Sequence, residues 1–333
     1  MKERVQWIDA VKGVGILLVI LAHISPISNK VFWYLTYGFM PIFFVMAGFT
    51  SKKVNGYSEA IKKKAKRLLI PYFVYGLLLI VASYLLFDNT NIMQTLLGLA
   101  YGRYSVLPEG AENVVPLLKG CLAVCPFWFL PCMFLAYLLL IIYDNLGGQR
   151  YILISMAVVL TLLSVYKPIL LPWSMDTCFM AFLFILSGRL ISKKMKRNKG
   201  KYDLPLCITC VAVYVLLCKF NPHVNFSIGK YGEHQIISVF LFFALGVAEP
   251  LAFSFLFRLI ERTKLSYMFA YLGRHSLRLM CIHIFLANVV GLFLDGRTYL
   301  ALAVSLCLIM AVDAILEYSY AKFKHKYSVL KYL

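Results

Sequence analysis

Two residues near the start of the chain have the types and the spacing that acid–base chemistry inside a helical protein would need. Lys12 and His23 flank a segment that is apolar from residue 13 onwards. In an α-helix, eleven residues separate them by roughly 16 Å along the axis, and close to three full turns place both on one face. The lysine could bind an anion, and a neutral imidazole could take a proton from a reacting hydroxyl. The alternative is a histidine that is hydrogen-bonded to a neighbouring helix.

A second basic cluster follows at residues 62–67, where five of six residues are Lys or Arg. Lys64 and Arg67 are three residues apart, so on a helix they share a face. Such a face could hold phosphate groups, and the arginine could bond them bidentately. The alternative is that the run only anchors a helix at the cytoplasmic surface.

Other polar side chains fall inside or at the edges of apolar stretches. Each has a structural alternative, such as an interfacial anchor for a tryptophan or an arginine that extends towards the surface. The candidates of this kind are Asp9, Trp128, Asp176, Arg189 and His283.

The elements that must position these residues are transmembrane helices. Of the 333 residues 61% are hydrophobic and 15% are charged, whereas globular proteins average roughly 25% charged residues. A helix crosses the hydrocarbon core with roughly 20 apolar residues. We therefore predict an all-α membrane bundle of about ten helices that forms a single domain over residues 1–333. The predicted spans are 13–24, 31–50, 68–87, 126–143, 151–166, 175–192, 204–218, 235–257, 272–294 and 299–320.

The basic residues predict the orientation of the bundle. With the N-terminus in the cytoplasm, 25 of the 34 Lys and Arg residues fall in cytoplasmic segments and 7 in outer ones. This asymmetry follows the positive-inside rule and places both termini in the cytoplasm. The net charge of +19 is thereby explained by topology, and nucleic acid is not an expected partner.

One connection, residues 88–125, is too long for a hairpin loop. It holds two apolar pieces, 92–101 and 114–125, that are too short to span a membrane. We predict re-entrant or interfacial elements on the outer side, with the role of a lid over a cavity.

The spacing of the nine cysteines does not indicate a metal site. Cys207 and Cys210 are three apart, but neither a second pair nor a histidine cluster accompanies them. We expect the cysteines to act as small apolar packing residues, and we expect no bound metal.

Six segments, in order along the chain, resemble the motifs of the membrane acyltransferase 3 family. Members carry a basic residue and a histidine separated by ten residues in the first helix, as Lys12 and His23 are here. In the second motif Phe39 and Ala47 stand where members often have histidine and serine, so no role of that histidine is carried over. The pattern is similar to that of the fucose 4-O-acetylase-like branch. The matching segments are 4–23, 38–49 (GFMPIFFVMAGF), 64–72 (KAKRLLIPY), 127–130 (FWFL), 176–189 and 273–283.

The resemblance implies an integral protein of the bacterial cytoplasmic membrane that moves an acyl group, usually acetyl, from cytoplasmic acyl-CoA to a hydroxyl of a glycan. His23 would act as general base or carry the acyl group transiently. Expected partners are acetyl-CoA as a substrate rather than a bound cofactor, a glycan or lipid-linked glycan acceptor, and membrane lipids; a homo-oligomer is compatible with the sequence. The donor would be held by Lys12, Lys64, Arg67 and Arg189, with Asp9 orienting Lys12 and with Trp128, Asp176 and His283 on the acceptor side.

Two other classes of membrane protein also fit ten helices with buried polar residues. A secondary transporter or a flippase for a lipid-linked glycan would be expected to show inverted repeats with broken helices, and the sequence shows neither. A glycosyltransferase that uses a lipid-phosphate donor would be expected to carry patterned acidic residues in an outer loop, where this chain has Glu109 and Glu112.

Overall fold

A computed structural model of the chain describes residues 5–26, 30–54, 56–87, 91–103, 126–166, 170–197, 200, 202–221, 224–294 and 298–323. Within these ranges the β pairing is confined to one isolated bridge, between Asn225 and Lys230, and the fold is all-α. The helices are α1 (Gln6–Ile24), α2 (Lys30–Thr36), α3 (Phe39–Thr50), α4 (Ser58–Leu86), α5 (Ile92–Tyr101), α6 (Phe129–Asn145), α7 (Arg150–Leu163), α8 (Cys178–Arg197), α9 (Asp203–Phe220), α10 (Gln235–Leu259), α11 (Lys264–Arg274), α12 (Ser276–Gly291) and α13 (Tyr299–Phe323).

Eight helical stretches of the described residues are long and apolar enough to cross a membrane. Three shorter apolar helical stretches, Tyr34–Thr50, Ile92–Tyr101 and Ser276–Gly291, accompany them. The first and third of these fall in predicted spans two and nine, and the eight long stretches account for the other eight. The chain is therefore a polytopic integral membrane protein, as its composition predicted.

The structure divides both of the predicted spans that contain a short helix. Span 31–50 breaks between Thr36 and Phe39, and span 272–294 breaks at His275. The first break lies inside a mostly apolar run, whereas the second lies in the segment Arg274-His275-Ser276. Because apolar residues flank both breaks, hydropathy averaged over a window predicts one helix where there are two. The second break makes α11 a separate helix that packs across the beginning of α1.

The long outer connection contains one helix in its described part. Asn91 caps α5, because its side chain accepts a hydrogen bond from the backbone N–H of Gln94 at 3.1 Å. Gly102 ends α5 in the left-handed conformation with φ 74°, as helix C-termini often do. Residues 88–90 and 104–125 lie outside the described residues, and the predicted piece 114–125 lies with them, so the lid remains a prediction.

The core of the bundle lies along α6 and α8, and the periphery along α7, α9 and α13. In the most apolar window of each stretch, 72% of the residues are buried for Pro126–Asn145 and 67% for Pro172–Met195, against 17% for Asp203–Phe220 and 22% for Tyr299–Ser319. The peripheral helices expose leucine, isoleucine and valine side chains, which suits contact with lipid.

Two glycine pairs let helix backbones touch, one between α1 and α11 and one between α3 and α8. A Cβ on Gly13 would lie 1.9 Å from the carbonyl oxygen of Phe269, and one on Gly273 would lie 1.7 Å from that of Asp9. Between α3 and α8, a Cβ on Gly48 or on Gly188 would come within 2.1 Å of a carbonyl oxygen of the other helix. Only glycine permits such approaches, which are typical of helix pairs packed in membranes.

Candidate functional site

His23 lies in the last turn of α1, and its side chain is exposed. Its Nδ1 lies 2.7 Å from the carbonyl oxygen of Val19. A carbonyl oxygen can only accept, so Nδ1 carries the hydrogen and donates it. In the neutral ring the free lone pair is therefore on Nε2, where a substrate hydroxyl could deliver a proton.

The ring of His283 on α12 packs edge-on against His23, with ring centroids 5.1 Å apart and ring planes at 68°. His283 is fully buried. Its Nδ1 donates to the carbonyl oxygens of Met280 at 2.8 Å and Leu279 at 3.2 Å. Its Nε2 is buried and has no hydrogen-bond partner among the described residues. Both histidines thus present the same tautomer, each fixed by a carbonyl of its own helix.

A buried charged network fixes the helix that carries His283. The fully buried Asp313 on α13 accepts from Arg278 Nε at 3.0 Å and from His275 Nδ1 at 2.6 Å. Arg278 Nη1 also lies 2.7 Å from a carboxylate oxygen of Glu317. Because Arg278 is only five residues before His283, this network sets the register of α12 against α13 just below the histidine pair.

Lys12 pairs with Asp9 in the first half of α1. The Nζ atom lies 3.6 Å from Asp9 Oδ1, and the two side chains are 23% and 6% exposed. The three-residue spacing places both on one helix face. Asp9 therefore lies beside the lysine, and its role in orienting Lys12 remains a prediction.

The second basic cluster gathers around Tyr137 on α6. Lys64 Nζ lies 3.2 Å from the centroid of the Tyr137 ring, a cation–π contact. Arg67 and Arg189 lie close enough for their charges to act on the Lys64 ammonium. Lys64 is half-buried and Arg67 is exposed, so this cluster combines a fixed cation with one that is free to meet an anion.

Arg189 on α8 is already held by protein groups. It forms a buried ion pair with Asp144, its Nε donates to Ser51 Oγ at 2.8 Å, and its Nη2 donates to the Lys52 carbonyl at 3.2 Å. Asp144 also accepts from the backbone N–H of Val54 at 3.1 Å. Arg189 therefore ties α8 to α6 and to the segment after α3, and its predicted contact with the donor remains a prediction.

Asp176, which the predicted topology places on the outer side, is buried and forms an ion pair with Arg103, which is also buried. Arg103 follows α5 directly and was not among the candidates from the sequence. The signal that could have identified it is its departure from the positive-inside distribution. A basic residue that is predicted on the outer side and buried needs an acidic partner to balance its charge. Asp176 is an acidic residue that is predicted on the same side.

Trp128 precedes α6 and is 8% exposed. Its ring packs edge-on against Phe226, with centroids 5.8 Å apart. Its carbonyl oxygen lies 3.5 Å from Ser174 Oγ, two residues before Asp176. The two acceptor-side candidates are therefore neighbours in the fold.

The sequence-predicted residues fall into four clusters. Asp9 with Lys12, and Lys64 with Arg67 and Arg189, belong to the cytoplasmic half as the topology was predicted. In the same predicted topology, His23 with His283 would lie further out, and Trp128 with Asp176 at the outer end. The contacts that join them include residues the sequence analysis did not weigh as candidates, namely Tyr137, Arg103 and Arg278.

No group of three or more His, Cys, Asp and Glu is placed to hold a metal ion within the described residues. The clusters instead offer a proton acceptor, cations and aromatic rings. These are the groups that transfer of an acyl group from an anionic donor to a hydroxyl would use.

Comparison with known families agrees with this chemistry. The sequence profile of the family described as "Acyltransferase domain" matches residues 5–316. No curated protein matches the chain, and no solved structure does so. The match covers all four clusters and nearly the whole chain, and the protein is thus a membrane acyltransferase that belongs to the acyltransferase 3 family.

Proposed function

We propose that this acyltransferase moves an acetyl group from cytoplasmic acetyl-CoA to a hydroxyl of a cell-surface glycan, or of its lipid-linked precursor, in the bacterial cytoplasmic membrane. The observation that carries the proposal is the fixed tautomer of His23. Its Nδ1–H is used by Val19, which leaves Nε2 as a base at an exposed position within a membrane helix.

The reaction needs one proton to move twice. The acceptor hydroxyl gives its proton to His23 Nε2 as its oxygen attacks the thioester carbonyl. The tetrahedral intermediate then collapses, the C–S bond breaks, and the imidazolium returns the proton to the departing sulfur. The products are an ester and free CoA, and the histidine ends neutral. Typical general-base assistance accelerates such a step by about 10²–10⁴-fold.

The same nitrogen could act as a nucleophile. Nε2 would then attack the thioester, release CoA and carry the acetyl group until the acceptor hydroxyl displaces it. The two routes use one residue but differ in kinetics, because only the second releases CoA before the acceptor binds.

The donor would enter from the cytoplasmic side. CoA carries several phosphate charges, and Lys12, Lys64 and Arg67 supply cations where the topology predicts the inner surface. The Tyr137 ring holds the Lys64 side chain in place. Less side-chain conformational entropy is therefore lost when the donor binds. Arg189 contributes its charge to this field, while its hydrogen bonds go to the protein.

The acetyl group must then travel outwards along α1. Lys12 and His23 share a face of a continuous helix at a separation of roughly 16 Å, and the flexible pantetheine arm of CoA bridges such a distance. Ile16 and Val19 lie between them on that face and are buried, at 0% and 1% exposure. Because these two side chains are covered, the pantetheine arm has no open path along this face. We infer that α1 moves away from the helices that pack on Ile16 and Val19 when the donor binds.

The experiment is a comparison of surface-glycan acetylation, by mass spectrometry, in cells with and without the gene. Purified protein supplied with isotope-labelled acetyl-CoA and glycan from the cells that lack the gene should transfer the label to the glycan. Absence of gene-dependent acetylation, together with no transfer in vitro, would refute the proposal. A burst of free CoA before glycan is added, with the labelled acetyl group retained on the protein, would select the acyl-histidine route.

A further inference from the structure

Arg103 uses each of its three side-chain nitrogens on a different partner. Nε donates to the carbonyl oxygen of Leu171 at 3.2 Å, Nη1 donates to that of Ser227, and Nη2 pairs with Asp176. The arginine is 5% exposed and Asp176 is 4% exposed. One buried residue thus joins the end of α5 to the loop before α8 and to the loop between α9 and α10.

The loop that Arg103 holds contains an unusual turn. Trp173 and Ser174 both have left-handed backbone angles, with φ 53° and φ 60°. That conformation is disfavoured for residues with a Cβ, so a tight surrounding structure must hold it. Strained turns of this kind are concentrated at functional sites.

The end of α5 supplies the groups that hold the turn. Tyr101 Oη donates to the Leu170 carbonyl at 2.7 Å, and Trp173 Nε1 donates to the Ala100 carbonyl at 2.9 Å. Gly102 allows the approach, because a Cβ there would lie 3.0 Å from the Trp173 ring.

Trp128 lies between the two loops that Arg103 joins. Ser174, in the strained turn, reaches its carbonyl oxygen. Phe226, the residue before Ser227, packs against its ring. Arg103 contacts both neighbouring segments of Trp128, so its loss would release the tryptophan from two sides.

We propose that Arg103 is a positioning residue for the acceptor: by joining these loops it holds Trp128 and the strained turn in the shape that binds a sugar. The inference rests on the proposed function and deepens it, since it assigns acceptor recognition to a set of outer-side contacts separate from the donor's cations. Lysine cannot replace the arginine here, because one ammonium cannot serve three partners placed around a planar guanidinium.

The test is steady-state kinetics of Arg103→Lys in detergent, with labelled acetyl-CoA as donor and glycan from cells that lack the gene as acceptor. We expect the acceptor KM to rise by about tenfold while kcat and the acetyl-CoA KM stay within about twofold, because only uniform binding of the acceptor is lost. Arg150→Lys is the matched control: Arg150 donates to the Tyr143 carbonyl at 3.1 Å and stacks on the Tyr143 ring, but on the cytoplasmic side. It should leave the acceptor KM unchanged.

Trp173→Phe provides a second variant should Arg103→Lys fail to fold. It keeps a six-membered aromatic ring but loses the indole N–H that bonds to Ala100 and the five-membered ring beside Gly102, so the acceptor KM should rise by about threefold or more, as loss of one neutral hydrogen bond predicts. An unchanged acceptor KM in the folded variants, or a rise in the acetyl-CoA KM instead, would overturn the role proposed for Arg103. Neither result would contradict the proposed function. Wild-type protein that transfers no acetyl group would overturn the proposed function as well.

Discussion

The imidazole of His23 lies edge-on to that of His283, with ring centroids 5.1 Å apart, although 260 residues separate them in the chain. His23 is exposed and His283 is fully buried. Each ring donates its Nδ1–H to a carbonyl of its own helix. The buried ring therefore supports the exposed one and gives α1 and α12 a shared polar contact inside the bundle.

His283→Phe should lower the rate of transfer without lowering stability. The phenyl ring fills nearly the same space and removes a buried nitrogen that lacks a partner among the described residues, and such a nitrogen costs about 1–3 kcal/mol. The rate should fall by about tenfold or more, because the six-membered ring is slightly larger than imidazole and displaces the His23 ring that it contacts, and a small displacement of a catalytic group lowers the rate strongly. Thermal unfolding in detergent and transfer assays measure the two effects. A variant that is as active as the wild type would remove His283 from the site.

Gly13→Ala and Gly273→Ala should each destabilise the protein. The added Cβ would overlap a backbone carbonyl of the facing helix, and overpacking of this kind costs about 1–3 kcal/mol. Gly291→Ala is the control, because a Cβ there would meet nothing within 4 Å. The unfolding midpoint should fall for the first two variants only; equal midpoints in all three would contradict the close contact of α1 with α11.

Lys64→Ala should weaken the binding of acetyl-CoA. The ammonium that Tyr137 holds would no longer meet the phosphates of CoA, and one charge-assisted hydrogen bond is worth about 1.5–3 kcal/mol, or about tenfold or more in affinity. Lys62→Ala removes an exposed charge of the same helix and should change affinity by much less. Calorimetric titration with acetyl-CoA at two salt concentrations checks this, since added salt should reduce the difference between the variants. Equal losses of acetyl-CoA affinity in the two variants would indicate that the positive surface attracts the donor without a specific site at Lys64.

Asp144→Asn should destabilise the protein by about 3–5 kcal/mol, because it leaves the buried Arg189 charge without its partner. Replacing both residues, as Arg189→Met with Asp144→Leu, should recover part of the loss. The acetyl-CoA KM of the double variant decides the role of Arg189. A KM near the wild-type value would assign it to holding α8, whereas a large increase would support the predicted contact with the donor.

The sequence alone predicts the features that repeat along one helix or follow from composition. The distance between Lys12 and His23, their common face and the pairing of Asp9 with Lys12 all depend on helix periodicity within α1. The polytopic all-α fold follows from hydropathy, and the structure confirms it. Of the ten predicted spans, eight correspond to stretches of the described residues that are long enough to cross a membrane, and the two that break at Gly38 and His275 correspond to shorter apolar helices.

The contacts across the bundle could not be predicted in this way. Arg103 meets Asp176 across 73 residues, and Arg278 meets Asp313 across 35. Such pairs depend on which helices are neighbours, and hydropathy carries no information on neighbours in an apolar bundle. The strained turn at Trp173 was also missed, because nothing local in its sequence favours a left-handed backbone.

The most direct test of the account is the transfer of isotope-labelled acetyl from acetyl-CoA to glycan by His23→Ala, beside wild type and the control variant His234→Ala. His234 is an exposed histidine at the start of α10, so it matches the chemistry of the change without touching the site. With all three proteins equally folded in detergent, we predict that His23→Ala loses transfer by about 10²-fold or more, as removal of a general base requires, while His234→Ala retains it. Transfer by His23→Ala at the wild-type rate would contradict the central claim.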